Sequence, residues 1–226
     1  MFLLNVTAAA LLLPVLLGIF YQAGVIIVGQ ELLAAHPWMS WALQFIPLVV
    51  LLLIYVFATL DPIKQHGLFW SNKMLGLSIG VGCCAGAVLY IMDIFTNHFS
   101  ALGIPEQVIF STGLGYLLML GVLVPFAEEL LFRGLIQTEF TKRIRSDWKI
   151  HPAIWIAVGL EVLAHASLLT RGFDGFWMRA PHLLYVLLFG AIGGWVYHKT
   201  QSLTGPFLIH ALGNAIELIL YWLAAS

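Results

Sequence analysis

The chain has 226 residues, of which 61% are hydrophobic and only 9% charged, against roughly 45–50% apolar and 25% charged in an ordinary soluble domain. A mean hydropathy of +0.96 marks an integral membrane protein rather than a soluble one. Ten lysines and arginines against eleven acids leave a formal charge of −1, so there is no basic surface for a phosphate backbone and nucleic-acid binding is excluded as a main function.

In chain order, residues 1–29 form a long apolar stretch with no basic residues ahead of it, which reads as a retained first helix and not as a cleaved secretory signal. Further apolar spans are expected at about 37–60, 74–95, 108–140, 150–169, 182–198 and 205–223, each bounded by polar residues, Pro or Gly. The fold class is therefore all-α, a polytopic bundle of about seven transmembrane helices around a polar intramembrane cavity. Residues 171–181, with Phe173, Phe176, Trp177 and Met178 among polar neighbours, read as an interfacial loop. Gly76 with Gly80, and Gly82 with Gly86, stand at helical spacing and are expected to let neighbouring backbones approach closely. Cys83 and Cys84 are adjacent in an apolar stretch and supply neither a disulfide framework nor a metal quartet. No repeat or linker divides the chain: residues 1–106 carry no motif, residues 107–226 carry the polar ones, and the two are read as one structural unit.

Lys64, Lys73, Lys142, Arg143, Arg145, Lys149 and Lys199 fall in alternate loops, with only Arg171 and Arg179 on the other side. By the excess of such residues in cytoplasmic loops, the N-terminus is expected in the cytoplasm of a multi-pass protein, with a bacterial inner (plasma) membrane as the setting.

Ionisable residues inside spans cost about 2.5–3.5 kcal/mol each on insertion scales, so they are functional hypotheses. They concentrate in the later spans: Glu128, Glu129 and Arg133, then Glu161 and His165, then His210, Asn214 and Glu217. Glu129 and Arg133, four apart, share a helix face and are expected to pair, which leaves Glu128 free to accept a proton. Pro125 removes the usual donor for the carbonyl of Gly121 and favours a kink with polar lining. His210, Asn214 and Glu217 lie on one helical stripe and should face one cavity. These residue types suit peptide hydrolysis: a carboxylate as base, a histidine to share the water's protons, and an Asn–His pair to donate to an oxyanion. Asp93, His182 and His198 are read as structural or interhelical residues, and His36, His66, His98 and His151 as loop or helix-start residues; Glu217 is left open between bystander and site residue.

These residues resemble a known family, the CPBP intramembrane proteases, also called the Abi or CAAX-protease family, which includes the Ras-converting CAAX endopeptidase. The family's Glu-Glu-x-x-x-Arg motif is matched by Glu128, Glu129 and Arg133, and its His-x-x-x-Asn motif by His210 and Asn214. Its Phe-x-x-x-His motif reads Glu161-x-x-x-His165, with an acid in place of the aromatic. The resemblance implies hydrolysis of a peptide bond near the C-terminus of a membrane-anchored or lipidated protein substrate. Glu128 with His165 would activate water, His210 with Asn214 would stabilise the oxyanion, and Glu129, Arg133 and Glu161 would support them. No cofactor is favoured; the zinc-dependent alternative would use Glu128, His165 and His210 as ligands. A non-catalytic immunity or scaffold protein is the other reading, and the sequence leaves the oligomeric state open.

Overall fold

The computed structural model describes residues 2–36, 38–58, 62–96, 114–167 and 173–225, with side chains except those of 2–14, 62–63, 93, 95–96, 167, 173–179 and 225. The described residues form helices and no strand: α1 (Phe2–Val28), α2 (Gln30–Ala35), α3 (Trp38–Phe57), α4 (Pro62–Gln65), α5 (Leu75–Thr96), α6 (Leu114–Arg143), α7 (Pro152–Ser167), α8 (Phe173–Thr200) and α9 (Thr204–Ala225). Each of the seven expected apolar stretches overlaps one of the seven longer helices, with α6 running three residues past its expected end and α8 beginning nine residues before its expected start. Within α3, α5, α6, α8 and α9 the described stretch is long and apolar enough to cross a membrane. The segment Pro152–Ala166 of α7 is shorter; its helix of 16 residues extends about 24 Å at 1.5 Å per residue, less than a hydrocarbon core of about 30 Å.

Two expectations are corrected here. The interfacial loop is helix from Phe173 onward, because α8 runs straight through Pro181. A proline is tolerated inside a membrane helix where neighbouring elements satisfy the freed carbonyl, so it does not end the element as it would in water. The glycine expectation holds for one pair and fails for the other. A Cβ on Gly82 would stand 2.9 Å from the carbonyl of Leu208, and one on Gly86 would stand 2.6 Å from that of Gly213, so α5 lies directly against α9 there. Among the described residues, nothing lies within 4 Å of a Cβ placed on Gly76 or Gly80. Asp93 and residues 171–172 lie outside the described residues and side chains.

One buried cluster joins the motif-free helices to the later ones: Leu17, Phe45, Leu48 and Val56 pack with Leu120, Leu130, Phe132 and Ala157. Three connections gather at one end of the bundle. Leu203 N–H donates to Gly67 O at 2.9 Å, Ser202 Oγ donates to Phe69 O, and the rings of His151 and His198 stack at 5.4 Å. Gly67 has φ +71°, and a Cβ there would meet Tyr197 at 2.8 Å, so glycine serves this turn both by conformation and by space. Lys64, Lys73 and Lys199 sit in the segments meeting at this end.

The glycine contacts predict opposite results for two alanine substitutions. Gly86→Ala should lower the thermal unfolding midpoint in detergent, with a loss of about 1–3 kcal/mol from overpacking against backbone, whereas Gly80→Ala should leave it unchanged or slightly raised.

Candidate active site

The site begins with the irregular winding of α6. Glu128 and Glu129 end the α-helical turn Val124–Glu129, which lies between two wider π-helical stretches, Met119–Leu123 and Leu130–Gln137. Val124 N–H bonds to Met119 O, five residues back. In that register the carbonyl of Leu120 would look to residue 125 for its donor, and Pro125 has no N–H. Asn214 on α9 takes the place, with Nδ2 donating to Leu120 O at 2.8 Å. The orphaned carbonyl is thus that of Leu120 rather than of Gly121, moved one residue by the π winding. Such π segments concentrate at functional sites.

Arg133 is the centre of the polar network, its side chain 1% exposed. Its Nε lies 3.1 Å from Glu129 Oε2, one helical turn back, an ion pair without an aligned hydrogen bond. Its Nη1 donates to Glu161 Oε1 on α7 at 2.7 Å, and its Nη2 to the carbonyl of Gly190 on α8 at 3.0 Å. Gly190 is a glycine for a spatial reason: a Cβ would stand 2.8 Å from Glu161 Oε2 and 3.1 Å from Arg133 Nη2. One turn along α6, Gln137 Nε2 donates to Gly194 O at 2.8 Å, and a Cβ on Gly194 would crowd Ile154 and Gln137. The glycines of α8 therefore let two polar side chains of α6 reach its backbone.

The histidines are oriented by their Nδ1 atoms. His165 Nδ1 is 3.0 Å from the carbonyl of Glu161, and a carbonyl only accepts, so this nitrogen carries the proton. His210 Nδ1 is 3.1 Å from Glu129 Oε1 and donates to that carboxylate in the same way. Both Nε2 atoms then turn toward Glu128 Oε2, at 3.8 Å from His165 and 3.7 Å from His210. Glu128 Oε2 has no hydrogen-bond partner among the described residues. Separations of this size fit an intervening small molecule such as water better than direct hydrogen bonds. The two histidine side chains are 19% exposed, against 9% for Glu128 and 4% for Glu129, so the imidazoles form the open side of the cluster.

These groups line a cavity of about 270 Å³. Glu128, Glu129, Arg133, Glu161, His165, His210, Asn214 and Glu217, singled out in the sequence, all reach it. So does His182, read from the sequence as an interhelical residue: its ring lies 5.8 Å from that of His165 and 6.1 Å from that of Tyr185. Trp41, Gln44 and Phe45 of α3 and Leu17 of α1 complete the wall. Sequence reasoning missed these because their helices carry no motif; Gln44, a polar residue in an otherwise apolar span, was the available signal. His66 is buried at 2% exposure and its Nδ1 is 2.9 Å from Gly134 O, so it fastens the loop before α5 to α6 away from the cavity.

Glu128, His165 and His210 have the donor chemistry for zinc. Among the described residues, however, no group of three or more His, Cys, Asp or Glu is placed to hold a metal ion together.

The fold and site together define an integral membrane helix bundle with a buried carboxylate–histidine cluster of hydrolytic composition. Residues 110–216 match the family model described as type II CAAX prenyl endopeptidase Rce1-like, a stretch that takes in all of the described α6, α7 and α8 and more than half of α9. Over these residues the chain is similar to the CPBP, or CAAX-protease, family of membrane peptidases, as its motif residues imply. Comparison with curated proteins and with solved structures found no match.

Removing the guanidinium leaves two carboxylates facing each other in a dry interior. Arg133→Met should destabilise the protein by about 3–5 kcal/mol, measured by chemical or thermal unfolding in detergent, a far larger loss than a change at the exposed Arg143 would bring.

Proposed function

We propose that the protein is an intramembrane endopeptidase that cuts near the C-terminus of a membrane-anchored or lipidated protein, using water activated by Glu128. The observation that carries this reading is the convergence of His165 Nε2 and His210 Nε2 on Glu128 Oε2, at 3.8 and 3.7 Å, inside the cavity. A water bridging these atoms gives one proton to the Glu128 carboxylate as its oxygen attacks the scissile carbonyl. His165, with Nδ1–H held by the Glu161 carbonyl, presents an Nε2 lone pair that shares this proton.

The tetrahedral oxyanion is met by two donors. His210 carries its Nδ1–H against Glu129, whose negative charge complements an imidazolium, and Nε2–H then points at the oxyanion. Asn214 Nδ2 has two hydrogens; Leu120 O holds one and fixes the amide, leaving the second to donate. On collapse the C–N bond breaks, the proton held by Glu128 and His165 passes to the leaving amine, and the other product ends in a carboxylate. In this reading the zinc-dependent and scaffold alternatives of the sequence are set aside.

The end of the bundle bearing Lys64, Lys73 and Lys199 is taken as cytoplasmic by the positive-inside rule, which puts the N-terminus in the cytoplasm of a bacterial inner membrane. Glu128 lies roughly 18 Å along α6 from the basic loop at about 1.5 Å per residue, so substrate enters from within the bilayer or from that end. Membrane tethering of the substrate would raise its local concentration at the cavity.

The test uses lipid-reconstituted protein with a panel of prenylated and transmembrane-tailed peptides, read by mass spectrometry. Glu128→Gln should lose about 100- to 10,000-fold in turnover while unfolding at the wild-type temperature, and chelators should leave the wild type active. Full activity in Glu128→Gln, abolition by chelation, or a folded wild type that cuts nothing in the panel would each contradict the reading.

A further inference from the structure

Glu161 stands where the family motif has an aromatic side chain, so its charge is an addition of this chain. It is buried, 3% exposed, and its Oε1 accepts from Arg133 Nη1 at 2.7 Å while its Oε2 has no hydrogen-bond partner among the described residues. Two carboxylates, Glu129 and Glu161, thus share one guanidinium, while Glu128 lines the same cavity without pairing to it. The way Arg133 divides its nitrogens decides what each acid is free to do.

The forked end of the guanidinium is occupied by Glu161 through Nη1 and by the Gly190 carbonyl through Nη2. Glu129 is left with a side-on contact to Nε at 3.1 Å and makes no two-pronged pair with the fork. One oxygen of Glu129 is thereby kept for His210 Nδ1, also at 3.1 Å. We propose that Glu161 is a positioning residue for the reaction: it holds the Arg133 fork away from Glu129, so that Glu129 orients His210 and turns Nε2 toward Glu128. Glu161 also balances the charge of Arg133, which leaves the charge of Glu129 directed at the imidazole. Without it the fork is free to close on Glu129 and draw Oε1 off His210. The same residue anchors His165 through its backbone carbonyl, so both histidines take their tautomer from groups on or tied to this one turn of α7.

The inference rests on the hydrolytic reading, and the experiment separates the two. Full-length reconstituted protein carrying Glu161→Gln or Glu161→Asp is compared with wild type for kcat and KM, and for the 15N ring shifts of His210, assigned by their loss in His210→Ala. Glu161→Gln keeps the shape and removes the charge; kcat should fall about 10- to 100-fold with KM unchanged, as for other partners that orient a reacting histidine. The Nδ1–H signature of His210 should weaken in parallel. Glu161→Asp, which retains the charge at a shorter reach, should fall between Gln and wild type in both readouts. If Glu161→Gln fails to fold, the Asp variant is judged on the same two readouts. Wild-type kcat with an unchanged His210 signal, or a rise in KM alone, would overturn the proposal. A wild type that shows the His210 signature yet cuts no peptide would sink the hydrolytic reading, while the ring shifts would still decide the role of Glu161.

Discussion

Everything at the centre of this bundle depends on keeping the Arg133 guanidinium in a place where water does not solvate it. An isolated charge there would cost several kcal/mol after relaxation, so the fold is obliged to surround it with acceptors. It does so with three elements at once: Glu129 from the same helix, Glu161 from α7 and the Gly190 carbonyl from α8. Because Glu129 in turn bonds His210, α9 is tied to the same charge. Four helices are positioned by one side chain, and the histidines that face Glu128 belong to two of them.

A second constraint acts on the backbone. The wide turns of α6 and Pro125 together free the Leu120 carbonyl, and Asn214 closes it from α9. Satisfying that carbonyl has a value of about 1–3 kcal/mol in a dry setting, so Asn214 fastens α9 to α6 at the level of the cavity. The same contact that stabilises the pair of helices fixes the amide that meets the oxyanion in the proposed reaction. Stability and chemistry here share residues, and the substitutions that disturb one should disturb the other.

The pattern of apolar stretches was enough to read an all-helical membrane bundle, and four-residue spacing was enough to pair Glu129 with Arg133, because both follow from the geometry of a single helix. The stripe of His210, Asn214 and Glu217 was legible for the same reason. What lay beyond the sequence came from contacts between helices or from departures from regular winding. Glu161 could be seen as an anomaly but not as the partner of Arg133, since that pairing needs α7 to face α6. The π register moved the freed carbonyl from Gly121 to Leu120. Pro181 looked like a boundary, and α8 runs through it. Gly80 and Gly86 are equivalent as letters, and only the approach of α9 distinguishes them. His182 and the α3 residues enter the cavity through the same kind of tertiary placement.

The central claim is that Glu128 works as a base on water and not as a nucleophile on the peptide. A single-turnover cleavage in 18O-labelled water, with enzyme in excess over peptide and mass spectrometry of both product and protein, tests it most directly. The account predicts one 18O in the new carboxylate of the product in the first turnover and none in the protein. Label appearing instead in the Glu128 side chain, with unlabelled product, would show that the carboxylate itself attacks and would contradict the account.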